Sequence, residues 1–244
     1  MQQKIVHINR QITNCTRCRL HQTRIHAVCG EGIIPSRIMV IAQAPGRKED
    51  HEGRMLIGPS GQIFDQILGS LGINRHEVYL TNLLKCFLPR CRKPRQDEMN
   101  TCYIHYLKKE IALVKPEFIV TLGYHVTKYL FNQFELKQPN KISFQTTFGE
   151  LFSSQNRKII PLRHPATVVH NSIKLKQLIN EYEILNTIQT LCPYFYQCII
   201  PENYKNGLTP KNLLDKFCHG NWKQCKRYYS YSKGLQPGNS ALPE

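Results

Sequence analysis

The sequence predicts an α/β fold of three layers (α/β/α) around a central four-stranded parallel sheet, followed by a small cysteine-bearing module at the carboxyl end. Two observations carry this expectation. Four short apolar runs alternate with segments of helical periodicity, which is the pattern of βαβ units. After Cys192 the character changes, with cysteines, aromatic residues and basic residues gathered in a short stretch. A chain of 244 residues with 41% hydrophobic content can bury one such core and carry an appendage. The expected division is residues 1–190 and 191–244.

The strand candidates are residues 37–42 (RIMVIA), 78–83 (VYLTNL), 117–122 (EFIVTL) and 158–162 (KIIPL). They are nearly continuous in apolar character, as strands covered on both faces are. Between them, GQIFDQILGSLG from Gly61 sets Ile63, Phe64, Ile67 and Leu68 on one helical face. Residues 97–115 likewise set Cys102, Tyr106, Ile111 and Leu113 among polar residues, and stop ahead of Pro116.

This architecture says where to look for function. Open α/β sheets bind ligands beyond the carboxyl ends of their strands. The segments following Ala42, Leu83, Leu122 and Leu162 read QAPGRKED, LKCFLPRCRKPR, GYHVTK and RHPATVVH. The second holds five basic residues and no acidic one from Lys85 to Arg95.

Formal net charge is +16, from 33 Lys and Arg against 17 Asp and Glu. An excess of this size points to a polyanionic partner, since phosphate contacts release counterions. A generically basic surface is the alternative. Residues 2–13 lack the apolar core of a signal peptide, and no window approaches the ~20 apolar residues of a membrane span. A cytoplasmic, monomeric protein is expected. In that reducing setting ten cysteines suggest metal or cluster ligation before disulfides.

Cys15 and Cys18 form a C-x2-C pair, and Cys86 precedes Cys102 by 15 intervening residues. On spacing alone these suit zinc, a cluster, redox chemistry or simple core packing. The order of further motifs is more specific. GEG (Gly30 to Gly32), APG-x2-ED (Ala44 to Asp50), IGPSG (Gly58 and Gly61), TN-x2-KC (Thr81 to Cys86), LG (Leu122, Gly123) and HPA (His164 to Ala166) follow in turn. Over roughly residues 4–185 the chain resembles the family 4 uracil-DNA glycosylases.

That resemblance implies a four-iron, four-sulfur ([4Fe–4S]) cluster on Cys15, Cys18, Cys86 and Cys102. It implies hydrolysis, without a covalent intermediate, of the N-glycosidic bond of a uracil flipped out of DNA. Such chemistry needs donors to the departing base and an anion near the sugar cation. Asn82 matches the family's base-reading amide, His164 the donor to the uracil O2, and Glu49 the acid that positions water or favours the cation. Without the resemblance, Glu49 reads equally as an exposed loop acid paired with Arg47 or Lys48. Gln43, Ala44, Pro45 and Gly46 are expected around the base. Arg90, Arg92, Lys93 and Arg95 are expected on phosphates, and Val168, with Val169, in the wedge that fills the vacated stack.

Two positions depart from the family. Gln43 stands where it has an acid, and Leu56 replaces the Phe that stacks on uracil. Losing an aromatic stack of ~1–3 kcal/mol corresponds to a roughly 10- to 100-fold slower reaction. A non-catalytic iron–sulfur damage sensor and a glycosylase for another deaminated base are therefore the competing readings.

Cys192, Cys198, Cys218 and Cys225 lie outside the resemblance. Four cysteines in 34 residues suggest a second metal site, zinc or iron–sulfur, in a module too small to fold on core burial alone. Free buried thiols and a disulfide remain open. Trp222, Tyr228 and Tyr229 beside Lys223, Lys226 and Arg227 suit either base stacking or the module's own core, and a repair or replication protein is a possible partner for this tail.

Overall fold

The structure, a computed structural model, describes residues 2–137, 143–154, 157–239 and 243. They divide into two compact units, Met1–Glu183 and Ile184–Glu244. The division falls ahead of the expected boundary at residue 190. Among the described residues no helix is long and apolar enough to cross a membrane.

In the first unit the four expected runs form β1 (Ile38–Ala42), β2 (Tyr79–Asn82), β3 (Phe118–Leu122) and β5 (Arg157–Leu162). Their order is β2-β1-β3-β5, all parallel, and a further strand β4 (Phe152–Ser154) pairs antiparallel with β5 at the edge. The sheet thus has five strands where four were expected. The extra strand is three half-exposed residues, FSS, too short to show alternation and free of any need for apolar side chains at an edge. Every residue of β1, β2 and β3 is buried, as layers on both faces require.

Register decides where the loops emerge. Ala42 pairs with Asn82, Ile41 with Thr121 and Leu122 with Leu162. The four parallel strands therefore finish in one row, and the segments that follow them share a single rim.

The helices of this unit are α1 (Gln2–Thr13), α2 (Arg47–Glu52), α3 (Pro59–Ser70), α4 (Gln96–Cys102), α5 (Lys108–Val114), α6 (Tyr124–Gln133), α7 (Ala166–Val169) and α8 (Leu175–Thr190), the last running past the division. Ile8 and Ile12 of α1, Ile111 and Val114 of α5 and Leu130 of α6 share one core with Met39, Ile41, Ile119 and Ile159 of the sheet. On α3, Phe64, Ile67 and Leu68 are buried as the spacing predicts, and the Phe64 ring meets Tyr182 edge-on at 6.4 Å. The helix expected over 97–115 is interrupted by a π turn at Tyr103–Leu107, immediately after Cys102. It ends at Lys115, in the left-handed conformation with φ 52°, ahead of Pro116.

The second unit holds α9 (Ile199–Lys205), α10 (Lys211–Leu213) and α11 (Lys226–Ser232). Its apolar cluster contains Ile200, Leu214 and Cys218, with Phe195, Cys198, Ile199 and Tyr204 packed around them.

Candidate active site

A cavity of about 520 Å³ opens on the strand-end rim of the first unit. Its wall takes Ala44, Pro45 and Gly46 from the turn after β1, Glu49 from α2, Met55, Leu56 and Gly58 from the next loop, Asn82 from the end of β2, and His164 from beyond β5. Glu49, Asn82 and His164, far apart in sequence, line the same space. Its volume is in the range that small-molecule sites occupy.

Asn82 is 2% exposed, and its Nδ2 donates to the Met55 sulfur at 3.1 Å. A thioether is a weak acceptor, so a better one entering the cavity displaces it at little cost. Beneath Asn82 lies a buried polar group. Lys85 Nζ donates to the Asn82 carbonyl at 3.0 Å, to Thr81 Oγ1 at 2.6 Å and to Glu110 Oε2 at 2.5 Å. This brace fixes the strand end from which the amide projects.

His164 keeps some contact with solvent but lies deep among protein atoms. Burial lowers its pKa to about 4, the Glu49 charge opposing and His170 adding to the shift. Its Nδ1 lies 3.1 Å from the Ala166 amide, which donates to it. The ring is therefore neutral near pH 7, and its proton sits on Nε2. It is a donor without charge.

Glu49 is buried, not an exposed loop acid, because 47–52 is a helix with Glu49 and Asp50 turned inward; Lys48 reaches the exposed Glu52 instead. Its Oε1 accepts the amides of Ile57 at 2.9 Å and Gly58 at 2.8 Å. Those bonds hold a strained loop in which Leu56 takes φ 46°. Two glycines make the packing possible. A Cβ on Gly61 would lie 1.9 Å from the Leu56 carbonyl, and one on Gly46 would lie 2.5 Å from Glu49 Oε2. Asp50 faces away from the cavity, accepting the Ile25 amide with both carboxylate oxygens at 3.1 and 3.2 Å.

An adjoining cavity of about 360 Å³ shares Ala44, Pro45, Gly46, Arg47 and His164, and adds Gln43, Phe87, Arg92 and Gly123. Gln43 thus lines the adjoining cavity, whereas Asn82 lines the first. Phe87 and Met55 had no signal in the sequence: each is an apolar residue in an irregular stretch, with no period to give its direction.

Of the basic segment, Arg90, Lys93 and Arg95 are exposed. Arg92 is committed to Glu98 through two contacts, at 2.9 and 2.5 Å. Burial favours the neutral Glu98, but the Arg92 guanidinium and the Arg95 amide outweigh it and hold the carboxyl low. Arg92 therefore has a structural partner as well as a place on the cavity wall. Val168 is half-buried in α7, with Val169 more exposed beside it.

Cys86 and Cys102 are buried in the core, with Cys15 and Cys18 packed against it. Burial above all raises Cys102 to about 12, with the charges of Cys86 and Cys18 adding to it and a Lys85 contact opposing. Arg24 donates to Cys86 Sγ at 3.1 Å. Among the described residues no three Cys, His, Asp or Glu side chains close on a single metal ion. Four convergent sulfurs, with a guanidinium donating to one of them, fit a polynuclear thiolate-bound group.

The parallel sheet, its strand-end cavity and the three polar residues within it have a counterpart among known families. The model of the uracil DNA glycosylase superfamily matches residues 29–185, and the chain belongs to that superfamily. Within it, the chain is similar to the type-4 uracil-DNA glycosylase of Sulfurisphaera tokodaii, 36% identical over 179 residues, 71% of this chain and 79% of that protein. The type-4 enzyme of Archaeoglobus fulgidus is 33% identical over 180 residues, 72% and 86% of the two chains. That of Saccharolobus solfataricus is 35% identical over 166 residues, 66% and 75%. The matched span stops before the second cysteine group.

Proposed function

We propose that this chain is a monofunctional glycosylase that excises uracil from DNA, acting on a nucleotide turned out of the duplex. The observation that carries the reading is the convergence of Glu49, Asn82 and His164 on one cavity at the strand-end rim. Membership of the superfamily and the names of the type-4 relatives agree with it.

The expected chemistry follows from the groups present. Asn82 exchanges its weak Met55 contact for the N3–H and O4 edge of uracil, an edge that cytosine presents with the opposite polarity. As the N-glycosidic bond breaks, negative charge grows on the base oxygen and positive charge on the sugar. The neutral His164 donates Nε2–H to the first. Glu49 supplies the opposing charge for the second, and Oε2, not engaged by the Ile57 and Gly58 amides, is the oxygen that seats the attacking water. Arg90, Lys93 and Arg95 take phosphates, and Val168 fills the gap left in the base stack. Cys15, Cys18, Cys86 and Cys102 hold the iron–sulfur cluster, which when bound pins the 86–102 segment beside the DNA face.

The reading is tested with oligonucleotides containing uracil, hypoxanthine or xanthine, single- and double-stranded, cleaved by alkali and resolved on gels. Strand breaks at uracil that vanish with Asn82→Ala are expected. Tight binding with no breaks would instead favour a damage sensor. Breaks at hypoxanthine or xanthine alone would favour a different base.

A further inference from the structure

Two roles were open for the aromatic residues of the tail, base stacking or the module's own core, and burial decides between them. The apolar cluster of the second unit is Ile200, Leu214 and Cys218, with Phe195, Cys198, Ile199 and Tyr204 around it. Trp222, Tyr228 and Tyr231 are only half-buried, and Tyr229 is 63% exposed. They pack on one another instead. Trp222 meets Tyr228 at 4.8 Å between ring centroids, and Tyr228 meets Tyr194 at 5.7 Å. Tyr194 in turn stacks on Tyr231 at 5.0 Å, with 18° between the planes. Four rings thus form one connected chain that stays open to water. A core would bury such rings, because each takes a large apolar area out of solvent.

The cations stand on the same rings. Lys223 Nζ lies 5.5 Å from the centroid of Trp222, in the 3-10 turn Trp222–Gln224, and Lys233 Nζ lies 5.5 Å from that of Tyr229. Lys226 and Tyr229 of α11 and Lys233 just beyond it follow at spacings of three and four, which sets them on one helical face. All three are exposed. From Lys216 to Pro243 the chain holds five basic residues and no acidic one. Among the described residues no ion pair engages Lys223, Lys226 or Lys233. Aromatic faces in water beside ammonium groups are what unpaired bases and their phosphates call for. A duplex hides its base faces within the stack, whereas a single strand offers a face and a charge at every nucleotide.

We propose that Trp222 and Tyr229, with Lys223, Lys226 and Lys233, form a binding surface for single-stranded DNA on the second unit. Bases stack on the two rings, and the three ammonium groups take the phosphates between them. None of these residues lines the strand-end cavity, and all lie beyond residue 185, where the match to the superfamily stops. DNA is the polymer because the first unit belongs to a superfamily of DNA glycosylases. The surface holds unpaired DNA whether or not the strand carries a base for excision.

Trp222 is the sole tryptophan of the chain, so its emission reports on this surface directly. The test titrates the full chain, purified without oxygen, with an oligothymidylate of about 12 nucleotides, a probe that contains no uracil. Saturable quenching is expected, weakening as salt rises. The same strand paired with oligoadenylate should quench little. Tyr229→Ala should raise the dissociation constant about tenfold without disturbing the fold, since the ring is exposed. Lys226→Gln with Lys233→Gln should lower the slope of log affinity against log salt by about 1.4. Arg90→Gln, Lys93→Gln and Arg95→Gln together should leave the quenching at saturation in place, which separates this surface from contacts made by the first unit. Excision of uracil without any quenching, equal quenching by the duplex, tighter binding of a ribo-oligonucleotide, or unchanged affinity in Tyr229→Ala would each overturn the assignment. Quenching by a chain that excises nothing would uphold it and sink the glycosylase reading instead.

Discussion

His164 gives the sharpest expectation for a single side chain. Its folded pKa of about 4 lies below the ordinary 6.5, so the folded chain binds fewer protons than the unfolded chain between those values. Stability should therefore fall as pH drops from about 6.5 towards 4, and the term should disappear in His164→Gln when chemical denaturation is followed across that range. Single-turnover excision should stay level down to about pH 5 and decline below it as the imidazole gains its second proton. Leu56 gives an expectation of opposite sign. Restoring an aromatic with Leu56→Phe should raise kcat/KM on uracil DNA about tenfold. Glu49 needs more care, because one oxygen anchors the 57–58 amides while the other faces the turn at Gly46. Glu49→Gln removes the charge but leaves an acceptor for those amides; Glu49→Ala removes both. The difference in rate between the two variants measures how much of this residue's effect is architectural.

At the level of elements, the buried brace under β2 makes a further expectation. Lys85 and Glu110, 1% and 0% exposed, are each other's charge partners. Replacing one alone, as in Glu110→Gln or Lys85→Met, should cost about 3–5 kcal/mol of stability read from denaturant midpoints. Replacing both with apolar residues should cost much less. This contrast also shows what the sequence could and could not reveal. The four parallel strands were legible because burial on both faces leaves nearly unbroken apolar runs. Helix α2 was not legible, because RKEDHE contains no apolar residue and its buried face is made of Glu49 and Asp50. Apolar periodicity cannot register a helix whose inward side is carboxylate. For the same reason Glu49 read as a loop acid on pattern alone, and only the motif APG-x2-ED singled it out. Strand β4 and the π turn after Cys102 left no trace, the one through brevity, the other because a single inserted residue barely disturbs a helical pattern. The Met55 contact to Asn82 and the place of Phe87 depend on loop paths that no local rule gives.

For the whole molecule, charge is the dominant fact. A net +16 should make DNA affinity fall steeply with salt. Converting the exposed Arg90, Lys93 and Arg95 to Gln should reduce the slope of log affinity against log salt by about two to three, and weaken matched and unmatched DNA alike. The strand-end row has a consequence in time as well as in space. The cavity draws on residues spread from the turn after β1 to the turn after β5, and His164 follows the last strand of the sheet to leave the ribosome. A nascent or prematurely terminated chain that ends before Arg157 has Glu49 and Asn82 but lacks the donor opposite them. Competence to act on DNA therefore arrives late and all at once during synthesis, and a partial product offers basic surface without a finished pocket.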